Sequence, residues 1–80
     1  MWMSNCLVVV NRQNHDANSL SEIASALREF GSVVAIDEDE HVIEVSMPSH
    51  EMATVSAIEG VSYVRCVFSY FCDGVPAKAA

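Results

Sequence analysis

The sequence is poor in basic residues: Lys and Arg together number 4, against 11 Asp and Glu, which gives a formal net charge of −7. Proteins bind nucleic acids and anionic membranes mainly through Lys and Arg, so this charge balance argues against both kinds of partner. No apolar run reaches the roughly 20 residues that a membrane-spanning helix needs. The first residues also lack the basic start and the cleavage site of a signal peptide. We therefore expect a protein without nucleic-acid or membrane partners.

Cysteine is scarce as well. Cys6, Cys66 and Cys72 are odd in number, and no two of them have the CxxC spacing of a structural zinc site. Positions 66 and 72 lie about 20 Å apart along an extended strand, which is too far for a disulfide. A bond between Cys6 and Cys72 is geometrically conceivable, and Cys66 is interpreted as a core residue. We expect three reduced thiols in a cytoplasmic protein that carries no cofactor.

No set of nucleophile, base and orienting residue is evident, so we expect the chain not to be an enzyme. His15 and Asp16 are adjacent but have no third ligand near them in the sequence. The acidic run at residues 37–40 lacks the central glycine of a calcium-binding loop. We interpret both stretches as solvated loops and predict no catalytic and no metal-binding residue.

About half of the 80 residues are apolar, which suffices for one small domain with its own core. Alternation and three- to four-residue periodicity predict strands over residues 6–11, 32–37, 41–47 and 60–72, and helices over residues 19–30 and 49–59. Ser19 and Glu22 have the spacing of a capping box, Gly31 is expected to end the first helix in a left-handed conformation, and Ser49 to cap the second. We predict one domain over residues 1–72, followed by a mobile tail over residues 73–80.

The order of these elements is strand–helix–strand–strand–helix–strand. Right-handed crossovers in each half place both helices on one face of a four-stranded antiparallel sheet. We therefore predict an α+β protein with the ferredoxin-like βαββαβ sandwich, in which the first and third strands are central and the last strand lies at an edge. The other face of the sheet has no helix to cover it.

Residues 41–65, HVIEVSMPSHEMATVSAIEGVSYVR, resemble the subtilisin-propeptide-like protease inhibitors, whose "GV-x-x-V" entry to the last strand is matched by Gly60, Val61 and Val64. The resemblance implies that the uncovered sheet face binds a subtilisin-like protease.

Residues 18–36, NSLSEIASALREFGSVVAI, resemble an ACT regulatory domain. This second resemblance implies an alternative function, a small-molecule (amino-acid) sensing module that binds its ligand at a dimer interface near the loop before the first helix. The ligand-binding residues would then be Asn11, His15, Asp16 and Asn18.

The last predicted strand has two different faces. Strict alternation places Val64, Cys66, Phe68 and Tyr70 on a buried face and the intervening residues on the uncovered face. Tyr, Arg and Val together are typical of protein interfaces rather than of a solvated sheet. We therefore predict a non-catalytic protein-interaction module, inhibitor-like, whose partner is another protein or a second copy of the chain. The candidate protein-binding residues are Val42, Glu44, Tyr63, Arg65, Val67 and Phe71.

Overall fold

A computed structural model of the chain describes residues 1–11 and 20–72. Within these residues the elements are, in chain order, β1 (Trp2–Val10), α1 (Leu20–Leu27), β2 (Ser32–Asp37), β3 (Val42–Pro48), a 3-10 turn (Ser49–Glu51), α2 (Met52–Ser56) and β4 (Val61–Phe71). The predicted capping residue Ser19 and the predicted tail over residues 73–80 lie outside the described residues.

The four strands form one sheet in the order β2-β3-β1-β4, and every neighbouring pair is antiparallel. The α+β class and the four-stranded antiparallel sheet are therefore confirmed. The first and third strands occupy the middle of the sheet, and the last strand lies at an edge, as the sequence predicts.

The core lies between one face of the sheet and the two helices. Alternate residues of the two central strands are buried there, and they pack against the buried stripe of α1 and against Val55 of α2. Because residues of both helices belong to the same buried cluster, both helices cover the same face of the sheet. The fully or almost fully buried members of this cluster are Cys6, Val8, Val10, Ile23, Ala24, Leu27, Ile43, Val45, Met47 and Val55.

β1 is longer than predicted, since it begins at Trp2 rather than at residue 6. The added part contains Ser4 and Asn5, which are polar in sequence but buried in the sheet. Their side chains are satisfied by other segments: the Ser4 hydroxyl shares hydrogen bonds with the hydroxyls of Ser49 and Ser69, and Asn5 bonds to Glu44. The alternation along one strand gives no information about these partners, so the sequence pattern predicts a strand that begins too late.

Two predicted helix ends are wrong. Among the described residues only His41 and Gly60 have positive φ, so Gly31 does not adopt a left-handed conformation. Ser49 does not cap a helix, because its hydroxyl bonds to Ser4 and Pro48 occupies the cap position of the 3-10 turn. The second helical segment ends at Ser56 rather than at residue 59.

Candidate protein-binding face

The side of the sheet that points away from the helices is called the open face. Residues that pair directly across antiparallel strands point to the same side, so the strand register defines its members. From the edge at β2 to the edge at β4, the open face comprises Ser32, Ala35, Asp37, Val42, Glu44, Ser46, Pro48, Met3, Asn5, Leu7, Val9, Tyr63, Arg65, Phe68 and Tyr70.

Two rows of side chains cross the half of the open face that lies nearest to the turn between β2 and β3. In the first row Val9 lies between Val42 and Tyr63, and in the second row Leu7 lies between Glu44 and Arg65. Four of the predicted binding residues therefore share one face, as expected. Tyr63 is 56% exposed, so an aromatic ring stands at the end of an aliphatic row without cover.

Hydrogen bonds join polar groups of different strands on the open face. The Asn5 amide donates to Glu44 Oε2 at 2.9 Å, and the Tyr70 hydroxyl shares a hydrogen bond with Ser46 Oγ at 2.8 Å. Polar groups that already have protein partners lose little when another surface displaces water from them. Asn5, Ser46 and Tyr70 therefore oppose burial of the open face less than unpaired polar groups would.

Of the remaining two predicted binding residues, Phe71 is not on the open face, and Val67 has no partner in the register that would assign it to either face. The register between β1 and β4 shifts between Asn5 and Cys6, and Val67 is the extra residue of the resulting bulge. Beyond the bulge the alternation is inverted, so Phe71 pairs with Trp2 on the helix side, where the two rings pack edge to face with centroids 5.5 Å apart.

The same inversion corrects the predicted buried face. Phe68 and Tyr70 lie on the open face, opposite Asn5 and Met3, instead of facing the core. Their ring centroids are 6.0 Å apart, and Phe68 is 54% exposed. These two aromatic residues are the part of the candidate site that strict alternation misses.

The turn between β2 and β3 adds an acidic border to the open face. An open hollow of about 840 Å³ lies beside it, lined by Leu7, Val42 and Glu44 together with the acidic residues at positions 37–40. The turn is built locally: the Glu40 N–H donates to Asp37 Oδ1 at 3.1 Å, and His41 takes a left-handed φ of 53°. One end of the open face is thus strongly negative and partly apolar.

Only part of the alternative ligand site can be placed. Asn11 is exposed, and its backbone N–H donates to the Gly60 carbonyl at 2.8 Å. His15, Asp16 and Asn18 lie outside the described residues. Within the part of the chain that the structure describes, no three His, Cys, Asp or Glu side chains are grouped as a metal site.

The register also changes the expected relation among the cysteines. Cys6 lies directly opposite Cys66, whereas Cys72 is at the far end of the pair of strands, where its N–H donates to the Met1 carbonyl. Cys66 is exposed, so its interpretation as a core residue is wrong. β1 reaches back to Trp2 and pairs with β4 as far as Phe71.

No family model matches the chain, and no curated protein or solved structure is significantly similar to it. Among the described residues, no helix is both long and apolar enough to cross a membrane. The functional interpretation therefore depends on the surface of the domain itself.

Proposed function

We propose that this chain is a non-catalytic protein-interaction module that binds a partner protein through its open face. The observation that carries this proposal is the row of Val42, Val9 and Tyr63 on the open face, which crosses three strands and in which the valines are half-buried and Tyr63 is exposed. A solvated antiparallel sheet alternates apolar residues toward the core with polar residues toward water, and this row breaks that rule. Aromatic residues, Arg and aliphatic residues at the centre of a polar rim are typical of protein interfaces.

The charges around this row indicate what kind of surface would fit it. Five acidic residues border it on the β2–β3 side, while Arg65 is the basic residue on the β4 side. Two copies of a chain with net charge −7 would repel each other if these borders met. The partner is therefore a different protein, with an apolar patch flanked by Lys or Arg that face residues 37–40.

We further propose that the domain is a ferredoxin-like βαββαβ sandwich. The sequence of elements and the sheet order β2-β3-β1-β4 support this assignment. A subtilisin-type protease is the most specific partner class that we propose, because the residues that resemble protease propeptides, 41–65, include β3 and the start of β4, which contribute to the open face.

Calorimetric titration of a subtilisin-type protease tests this form directly. We expect the wild-type domain to bind and to inhibit, and Tyr63→Glu to weaken binding by about 30-fold, the usual effect of losing an interface hot spot. Ala53→Glu adds the same charge at an exposed site on α2 and serves as the matched control, with unchanged affinity. Without binding of the wild-type domain, the protease assignment is wrong.

The open face itself is tested with the same variants in pull-downs from the source cell. A partner that wild type and Ala53→Glu retain and that Tyr63→Glu loses supports binding through this face. Equal retention by all three proteins would contradict it. If amino acids instead raise the melting temperature in a concentration-dependent way, the ACT-like sensing function is favoured.

A further inference from the structure

The helix side of β1 and β4 holds two thiols that face each other. Cys6 and Cys66 are direct partners in the antiparallel register. Directly opposite residues in such a pair have Cα atoms about 4.5–5.5 Å apart, and disulfides span Cα separations of about 4.4–6.8 Å. The Cα separation expected for this pair therefore lies within the range that disulfides span.

The two thiols differ in their access to solvent. Cys6 is in the middle of the sheet with 0% of its surface exposed, under the helices. Cys66 is on the edge strand and is exposed. A reagent in solution can reach Cys66 directly, whereas Cys6 can be reached only by a group already attached to Cys66.

The bulge at Val67 supplies Cys66 with a hydroxyl partner. Positions 66 and 69 would point to opposite faces in a regular strand, but the extra residue between them brings both to the helix side. Cys66 Sγ lies 3.5 Å from Ser69 Oγ, and Ser69 Oγ is 3.1 Å from Ser4 Oγ. Ser4 Oγ is in turn 2.6 Å from Ser49 Oγ, so a chain of three hydroxyls ends at the exposed sulfur.

These surroundings separate the acidities of the two thiols. The hydrogen bond with Ser69 is the main cause that lowers the pKa of Cys66 from its ordinary value of 9.0; slight burial opposes it, and hydrogen bonds with Ser4 and Cys6 add to it. Burial is the main cause that raises the pKa of Cys6 to about 11, followed by the charge and the hydrogen bond of Cys66. The accessible thiol is thus the one that ionises first, and thiolate is the reactive form of cysteine.

We propose that Cys66 and Cys6 form a thiol–disulfide exchange site, in which Cys66 is the attacking thiol and Cys6 the resolving thiol, with small-molecule disulfides such as oxidised glutathione as reactant. The Cys66 thiolate attacks one sulfur of the reactant, which breaks its S–S bond and releases one thiolate. Cys6 attacks the Cys66 sulfur and forms the Cys6–Cys66 bond, while the Cys6 proton passes to the second thiolate as that group leaves. Two electrons pass from the protein dithiol to the reactant, whose two halves leave as thiols after protonation.

Cys72 provides an internal control. It lies opposite Met1, five positions from Cys6 along β1, which corresponds to roughly 17 Å. Cys72 therefore cannot resolve a mixed disulfide on Cys66 or bond to Cys6 in the folded domain.

The test treats the fully reduced, folded chain with oxidised glutathione, then unfolds it in denaturant, blocks the remaining thiols by alkylation and maps the peptides by mass spectrometry. Wild type and Cys72→Ser should form the Cys6–Cys66 bond with the loss of two hydrogens. Cys6→Ser should stop at glutathione on Cys66, and Cys66→Ser should leave Cys6 alkylated and without glutathione, with at least about tenfold slower loss of protein thiol. Because Cys6 is in the core, Cys6→Ala is the second resolving-thiol variant, and circular dichroism checks that each variant is folded.

Two results would overturn the proposal. One is a wild-type product that stays as a mixed disulfide on Cys66, since the resolving role of Cys6 would then be wrong. The other is oxidation of Cys66→Ser at Cys6 as fast as the wild-type reaction. Ser69→Ala adds a readout that a merely structural role would not change: the pH at which Cys66 is half alkylated should rise, because the hydrogen bond that lowers the pKa of Cys66 is removed.

Discussion

At the residue scale, Gly31 is the point where α1 and its turn come closest to the sheet. A Cβ at this position would lie 2.1 Å from the Ser46 carbonyl oxygen and 2.9 Å from Met47 Cα. Both neighbours are backbone atoms of β3, a central strand that cannot retreat without breaking its pairing with β1. Glycine is required here by contact rather than by backbone conformation.

We predict that Gly31→Ala destabilises the domain by about 1–3 kcal/mol, the usual cost of overpacking. The free energy of unfolding in urea measures it. Ser25→Ala, at an exposed position of α1, is the control and should leave the free energy unchanged or slightly raised. A Gly31→Ala domain as stable as wild type would mean that the turn can move away from β3.

The buried Cys6 thiol makes stability fall at alkaline pH. Its pKa is raised from 9.0 to about 11 in the folded chain, so the native state keeps a proton that the unfolded state has lost between those values. The stabilisation is complete below pH 9 and is lost as pH rises toward 11, by a total on the order of 2 kcal/mol. Urea unfolding at a series of pH values should show this decline, and Cys6→Ala should not show the same component.

The lowered pKa of Cys66 makes stability rise with pH rather than fall, and it does so in a lower pH range than the effect of Cys6. Its thiolate is favoured in the folded state, so its contribution is present above pH 9 and disappears as pH falls through the folded pKa. A stability profile that falls only above pH 9 in both wild type and Cys6→Ala would contradict the assignment of the decline to Cys6.

At the scale of elements, β4 combines an accurate prediction with a wrong one. Its existence, its edge position and the burial of Val64 against the core follow from composition and alternation. Its faces beyond Cys66 do not, because one extra residue at Val67 inverts every later side chain. A bulge depends on how two strands fit together, so it has no signature in the alternation of one strand alone.

The candidate site was accordingly predictable up to the bulge. Tyr63 and Arg65 precede it and were assigned to the correct face, whereas Phe68, Tyr70 and Phe71 follow it and were all assigned to the wrong one. The Cys6–Cys66 pair was missed for a related reason. The register that joins them depends on β1 starting at Trp2. The polar residues Ser4 and Asn5 interrupt the apolar pattern, and for this reason the strand was predicted to begin only after them.

The outer edge of β4 leads to a prediction about self-association. Among the described strands it pairs only with β1, and its outer edge runs along a segment with several exposed apolar residues. Unprotected edges of this kind pair with other chains, and Lys is a common natural protection. We predict that Phe71→Lys reduces self-association at high concentration, measured by light scattering during gel filtration, whereas Ala57→Lys, away from the strand, leaves it unchanged. A wild-type protein that is strictly monomeric in the same experiment would contradict this prediction.

At the scale of the whole molecule, a bond between Cys6 and Cys66 would close a loop of about 60 residues, most of the domain. In the chain-entropy description such a loop stabilises by about 4 kcal/mol, less any strain in the bond. We predict that oxidation raises Tm by up to about 15–30 °C, reduced by any strain in the bond, measured by calorimetry on reduced and oxidised samples. Cys66→Ser given the same treatment should not change, and a lower Tm in oxidised wild type would show that strain exceeds the gain.

The position of β1 in the sheet has a consequence for the timing of folding. β1 comes before the other strands in the chain, and one of its two neighbours, β4, is translated about 50 residues after it. At translation rates of about 5–20 residues per second, the apolar residues 6–10 wait several seconds for that neighbour. Contacts of such long sequence separation also make the folding step itself slow. The nascent chain therefore passes through a stage in which its most apolar strand is incompletely covered, when a chaperone can bind it, and in which Cys6 is open to reagents that the finished fold excludes.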